Sequence, residues 1–155
     1  MTAHPGRRRT RSALERLAST TGRGAQATAI TRHAEPGELI VAQGDDDANM
    51  FIIQSGAVEV RRHVGDQVVV LSRLARGDFF GEMSLLESQP RTADVVAVEP
   101  TMLVELGAGA LLFRIRRDPT LAAEMLQKLS HRIRDLTAAL VETGDSDHLH
   151  LLDDT

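Results

Sequence analysis

The chain has no cysteine, tryptophan or tyrosine, and only four phenylalanines and five prolines among 155 residues. Without cysteine there is no disulfide and no thiolate metal site, which suits a reducing, cytoplasmic compartment. Side chains on which successive bases could stack are scarce, and a formal charge of −4 argues against a broadly basic nucleic-acid surface. No stretch approaches the roughly 20 apolar residues of a membrane-spanning helix. The arginine-rich start lacks the apolar segment of a secretory signal. What remains is the composition of one cytoplasmic binding or sensory domain, long enough for a real core and with no expected membrane contact.

Residues 1–29 are rich in Arg, Thr, Ala and Gly, with Leu14 and Leu17 the strong apolar pair before Ile30. They predict a flexible basic arm, with a short helix compatible over 11–20. The dense run Arg7, Arg8, Arg9 and Arg11 is expected to be a solvated segment. From 36 to 106 the pattern changes to short Val/Ile/Leu runs broken by Gly37, Gly44, Gly56, Gly65, Gly77 and Gly81, which predicts an all-β sandwich or barrel. Strands are expected at 38–42, 49–54, 57–63, 67–74, 92–98 and 101–106. Runs such as Val68-Val69-Val70-Leu71 alternate imperfectly, so parts of both faces are expected to be buried.

After Gly107 the period lengthens. One helix is predicted over 109–117 and a second over 119–142, opened by Asp118 as N-cap with Pro119 in the first turn. Along the second, Ala122, Leu126, Leu129, Ile133, Leu136 and Leu140 recur at spacings of 4, 3, 4, 3, 4. That heptad-like seam can zip two chains together or lie on the chain's own β domain. The helix should stop near Gly144, and the acidic segment 143–155 reads as a loose tail.

One stretch carries chemistry. Residues 80–93 hold Glu82 and Arg91 among apolar and small residues, and burying either charge alone would cost several kcal/mol, so both call for a dedicated partner. A cyclic nucleotide supplies one: a delocalised phosphate charge, a ribose 2′-hydroxyl and a flat purine. Arg91 can grip two phosphate oxygens through parallel N–H bonds, which a lysine cannot do. Glu82 is an acceptor suited to the 2′-hydroxyl. Gly81 lets backbone approach closely, and a short turn over Met83 to Leu86 would direct free N–H groups at the anion. Pro90 fixes the approach to Arg91, and Thr92 adds a hydroxyl.

With these residues in view, the chain resembles the cyclic nucleotide-binding domain family over about 30–142. The resemblance rests on Gly81-Glu82-Met83-Ser84-Leu85 followed by Pro90-Arg91-Thr92-Ala93, on Gly77-Asp78-Phe79-Phe80 leading in, and on the run Met50 to Val60 upstream. It implies a mainly β fold, a double-stranded β-helix or jelly-roll β-roll over 36–106, followed by C-terminal hinge helices. It further implies that Glu82 holds the 2′-hydroxyl and Arg91 the cyclic phosphate of cAMP or cGMP, with Gly81, Met83, Ser84, Thr92 and Ala93 framing the site. Val60, Leu71 and Phe80 fall where family members line the pocket. Arg132, Ile133, Leu136 and Thr137 on the last helix are the candidates for touching the base. Transcription factors of this family continue into a winged helix-turn-helix, which takes dozens of residues. The segment after Val141 is too short for one, so no DNA contact of that kind is expected from this chain.

Competing readings are weaker. Asp45-Asp46-Asp47 superficially suggests calcium, yet Met50 stands where a helix–loop–helix calcium loop wants glycine and Gly56 where it wants glutamate. His4, His33, His63, His131, His148 and His150 are scattered, with only the last two close together, so no metal site is expected. A cupin-type metalloenzyme would need a His/Glu cluster that the sequence does not supply. A ligand sensor without enzymatic activity is therefore expected. The alternative is a ligand-free module that dimerises or docks a protein through the 119–142 helix.

Overall fold

The structure, a computed structural model, describes Ser12 and residues 29–142. The expected arm 1–29, with its short helix, lies outside the described residues apart from Ser12 and Ala29, as do the tail from 143 and His4, His148 and His150. Among the described residues, eight strands and three helices follow one another: β1 Ala29–Ala34, β2 Leu39–Val41, β3 Met50–Ser55, β4 Ala57–Val64, β5 Gln67–Ala75, β6 Phe79–Phe80, α1 Glu82–Glu87, β7 Asp94–Ala97, β8 Thr101–Leu106, α2 Ala108–Arg117 and α3 Thr120–Glu142.

The strands form two four-stranded antiparallel sheets, ordered β1-β8-β3-β6 and β2-β7-β4-β5. This is the mainly β fold with flanking helices that the sequence predicted. The first sheet is the middle layer. On one face Met50, Ile52, Phe79, Val104 and Leu106 pack against Ala110, Leu111, Leu121 and Met125 of α2 and α3. On the other, Phe51, Ile53, Phe80 and Leu103 meet Ile40, Val41, Val58, Leu74, Val95 and Ala97 of the second sheet. The period-two alternation of a strand produces this division, so neighbours such as Phe79 and Phe80 serve different layers. Phe80 stacks on Phe51 with ring centroids 4.9 Å apart.

Three expectations need correcting. A strand, β1, precedes the expected start of the β region at 36; it pairs with β8 through backbone bonds while Ile30 stays 60% exposed, so it carried almost no apolar signal. The two-residue strand β6 is too short for any periodicity to show. The β4–β5 hairpin is not buried on both faces: Val64 and Val68 to Leu71 are exposed, because the hairpin runs past the end of β7, which pairs with β4 only from Val58 to Arg61. Along α3, Leu121 and Met125 are buried and Leu129 packs against the core, whereas Leu126, Ile133, Leu136 and Leu140 face outward. No described helix is long and apolar enough to cross a membrane.

Candidate functional site

The site begins at Gly81, between β6 and α1. Its φ of 84° lies in the left-handed region. A Cβ there would fall on Nη1 of Arg91 and 2.8 Å from the Asn49 carbonyl oxygen. Glycine is therefore required twice, for the turn and for the space. That space holds the guanidinium of Arg91 and the backbone before β3.

Arg91 is 4% exposed. Nη1 donates to the Gly81 carbonyl at 3.0 Å, Nη2 donates to the Asn49 carbonyl, and the Asp47 carboxylate lies 3.5 Å from Nη2. The guanidinium also stands 5.9 Å from the centre of the Phe51 ring. Its Nε–H is buried and meets no hydrogen-bond acceptor among the described residues. The main chain of Arg91 is pinned from both sides, its N–H donating to Asp45 and its carbonyl accepting from Gly44, each at 2.8 Å. Of the run Asp45-Asp46-Asp47, Asp47 thus reaches the guanidinium.

Glu82 is 8% exposed at the first position of α1, where a carboxylate is favoured by the helix N-terminus. Its Oε1 lies 3.4 Å from Nη1 of Arg132 on α3. Arg132 also donates through Nη2 to the Phe79 carbonyl and sits 4.5 Å over the Phe79 ring. One turn earlier on α3, Lys128 pairs with Asp78 at 3.1 Å. The last helix is thus fastened at two points to the segment that enters the site. Nothing in the sequence links Arg132 to Glu82, which are 50 positions apart.

The remaining predicted residues divide. Ser84 and Ala93 are buried beside the charged pair in sequence, and Phe80 is buried between the sheets. Met83 and Thr92 are exposed, and Val60 is partly buried against the inter-sheet core. Leu71 is 46% exposed at the bulge between the Val60–Ser72 and Arg61–Val70 pairs, so it faces solvent. Of the four candidate base contacts, Arg132 alone engages the site, and it does so through the Glu82 carboxylate and the Phe79 backbone. Ile133, Leu136 and Thr137 are exposed, with the Thr137 hydroxyl donating back to the Ile133 carbonyl at 2.8 Å. Among the described residues, no cluster of three or more His, Asp or Glu side chains could hold a metal ion.

A buried arginine and a buried carboxylate thus meet at one glycine turn. The cyclic nucleotide-binding domain model matches residues 31–118. The chain belongs to the cyclic nucleotide-binding domain family. It is 40% identical over 100 residues to the cyclic AMP receptor protein of Thermus thermophilus, a match that covers 64% of this chain and 46% of the relative. A cAMP-dependent protein kinase regulatory subunit of Mycosarcoma maydis is 40% identical over 70 residues, covering 45% of the chain and 13% of that protein. The crystal structure of the Thermus thermophilus catabolite activator protein superposes with a TM-score of 0.66 at 36% identity, covering 74% of the chain and 55% of that structure. A cyclic nucleotide-binding domain from Methylobacillus flagellatus, at 20% identity, shares the fold with a TM-score of 0.70 over 86% of the chain and 82% of that domain. The chain thus spans less than half the length of the two curated relatives named here.

Proposed function

We propose that this cyclic nucleotide-binding domain is a cytoplasmic regulatory sensor for cAMP, with cGMP as the alternative ligand, that makes and breaks no bond. The observation that carries this reading is the state of Arg91: a guanidinium buried at the site whose Nε–H has no acceptor among the described residues. A buried charge with an unused donor is costly unless an acceptor binds there, and a cyclic phosphate offers oxygens with the spacing a guanidinium fork accepts. Glu82 would accept the 2′-hydroxyl. Gly81, Met83, Ser84, Thr92 and Ala93 would frame the sugar phosphate, Val60 and Phe80 would back the apolar wall, and the exposed Leu71 would meet the ligand from the open side of β5.

The route outward runs through α3. Glu82 is shared between the proposed ribose contact and Arg132, so a ligand that engages Glu82 changes what holds the helix. A ligand shifts a conformational equilibrium only through contacts that differ between its states, and the Glu82–Arg132 contact is one of these. Ile133, Leu136 and Thr137 lie farther along the same helix, where closure over the site would bring them to the base.

Calorimetric titration with cAMP and with cGMP tests the proposal, with saturable heat and a raised unfolding temperature expected for at least one. Absence of both effects at millimolar nucleotide refutes it. A second reading has its own support. Leu126, Ile133, Leu136 and Leu140 leave an apolar seam exposed on α3, which suits a homodimer or a docked protein even without ligand. Sedimentation would distinguish the two. A dimer indifferent to nucleotide and dispersed by Leu136→Asp favours the ligand-free module.

A further inference from the structure

A cluster beside the phosphate site has no part in the scheme above. The carboxylate of Asp94, three residues beyond Arg91, accepts the Gln43 backbone N–H at 2.6 Å and meets His63 Nε2 at 2.6 Å. Gln43 then turns its own side chain on β4: its Oε1 accepts the His63 backbone N–H at 2.8 Å, and its Nε2 donates to the His63 carbonyl at 3.3 Å. This amide takes over where the β4–β7 ladder ends, at the Arg61–Asp94 pair. The segment so fastened runs directly into Gly44 and Asp45, which pin the Arg91 backbone, and on to Asp47 and Asn49, which hold its guanidinium.

We infer that His63 is a positioning residue for the anion site: protonated, it clasps Asp94, orders the 43–49 segment and sharpens nucleotide binding through Arg91. The inference rests on the reading of Arg91 as the phosphate contact. A charged imidazole paired with a carboxylate makes a stronger bond than a neutral one, and order imposed before binding need not be imposed during it. Between pH 5 and 8 a histidine is the side chain that ordinarily changes charge, and among the described residues no second histidine faces the pair. From β7 comes Asp94 itself. On β4 there is Arg61, whose charge acts on Asp94 and which is tied to Glu59 at 3.0 Å. The segment after β2 contributes uncharged Gln43, and the residue opposite His63 on β5 is Val68. The carboxyl of Asp94 is held below its ordinary range by the Gln43 backbone bond first and by His63 next, so it stays ionised across that window.

The His63 imidazole is about half exposed, which limits the effect to roughly threefold in affinity, the scale of one partly solvated ion pair. The test is the dissociation constant for cAMP from pH 5.5 to 8.5 in the intact chain, beside NMR of the Arg91 Nε–H and the His63 ring. The constant should rise about threefold with pH in the wild type and stay flat in His63→Gln, which keeps a hydrogen-bond donor that does not titrate. By linkage, saturating nucleotide should raise the His63 midpoint by the same factor. In the nucleotide-free chain, the Arg91 Nε–H signal should move with the His63 titration and cease to do so in His63→Gln. A wild-type pH profile matching that of His63→Gln, or an Arg91 signal indifferent to His63, overturns the inference. Absence of nucleotide binding at every pH overturns the underlying reading instead, while the Arg91 signal still decides whether the clasp reaches the guanidinium.

Discussion

Replacing Arg91 tests the anion site directly, provided its effect on binding is measured beside its effect on stability. A hydrogen bond to a charged group is worth about 1.5–3 kcal/mol. A two-point grip on a phosphate therefore contributes about 3–4 kcal/mol at the lower end of that range, and at about 1.4 kcal/mol per decade its loss weakens binding roughly 100- to 1,000-fold. Arg91→Ala should show this in calorimetry with cAMP. It also deprives the Gly81 and Asn49 carbonyls of their donors, so a stability loss of about 1–3 kcal/mol is expected in denaturant unfolding. Arg91→Lys keeps the charge but offers one point of attachment, so binding should fall by roughly 10- to 100-fold. Arg134→Ala, on the exposed face of α3, is the control. If Arg91→Ala binds cAMP as well as Arg134→Ala does, the anion lies elsewhere and the account of the site is wrong.

Other outcomes follow from the same geometry. Gly81→Ala and Gly65→Ala both force alanine into positive φ at roughly 1–2 kcal/mol, but a Cβ meets Arg91 and Asn49 only at Gly81. Unfolding should find Gly81→Ala the more damaging; equal losses would show that the crowding is easily relieved. Arg132→Ala cuts the Glu82 contact. Nucleotide should still bind within about tenfold of wild type, while a fluorophore on a cysteine introduced at Leu140 should no longer respond to it. An unchanged response would remove Arg132 from the signalling route. The lowered native value of Asp94 sets an acid limb. Its contribution is fully present above the unfolded carboxylate value of about 3.9 and is lost as pH falls through the lower native one. Asp94→Asn should thus be less stable than wild type at pH 7 and lose less on acidification, as followed by thermal unfolding.

Much of the fold was legible because its signals are local. Glycines such as Gly56, Gly65 and Gly77 mark positive-φ turns between apolar runs, and the Val/Ile content between them reads as strands whatever their partners. The candidate site stood out for a related reason, since Gly81, Glu82 and Arg91 lie within a dozen residues. What escaped depends on distance. β1 is a strand because β8 is there to pair with it, and its own side chains show only one strong apolar residue. The solvent exposure of Val68 to Leu71 arises where β7 stops, which no feature of β5 records. Arg132 was placed near the site by its helix, but its engagement with Glu82 and Phe79 depends on how α3 crosses the first sheet. Leu129 shows the same limit in the heptad seam. It packs on the chain's own core while Leu126 and Ile133 on the same seam stay outside, so one periodic pattern serves two environments.

The middle sheet has a consequence for how the domain opens. Strand β3 sends Met50 and Ile52 to the helices and Phe51 and Ile53 to the second sheet, all four with no exposed surface. Both apolar clusters are therefore spliced into one strand, and neither can loosen while β3 stays paired. Amide protons of Ile52 and Ile53 should exchange with solvent only when the whole domain unfolds, whereas those of α3 beyond Ile133, where no side chain is buried, should exchange through local fraying. The domain thus combines a rigid spine with a helix end that moves at little energetic cost, and the boundary between the two regimes falls at Arg132.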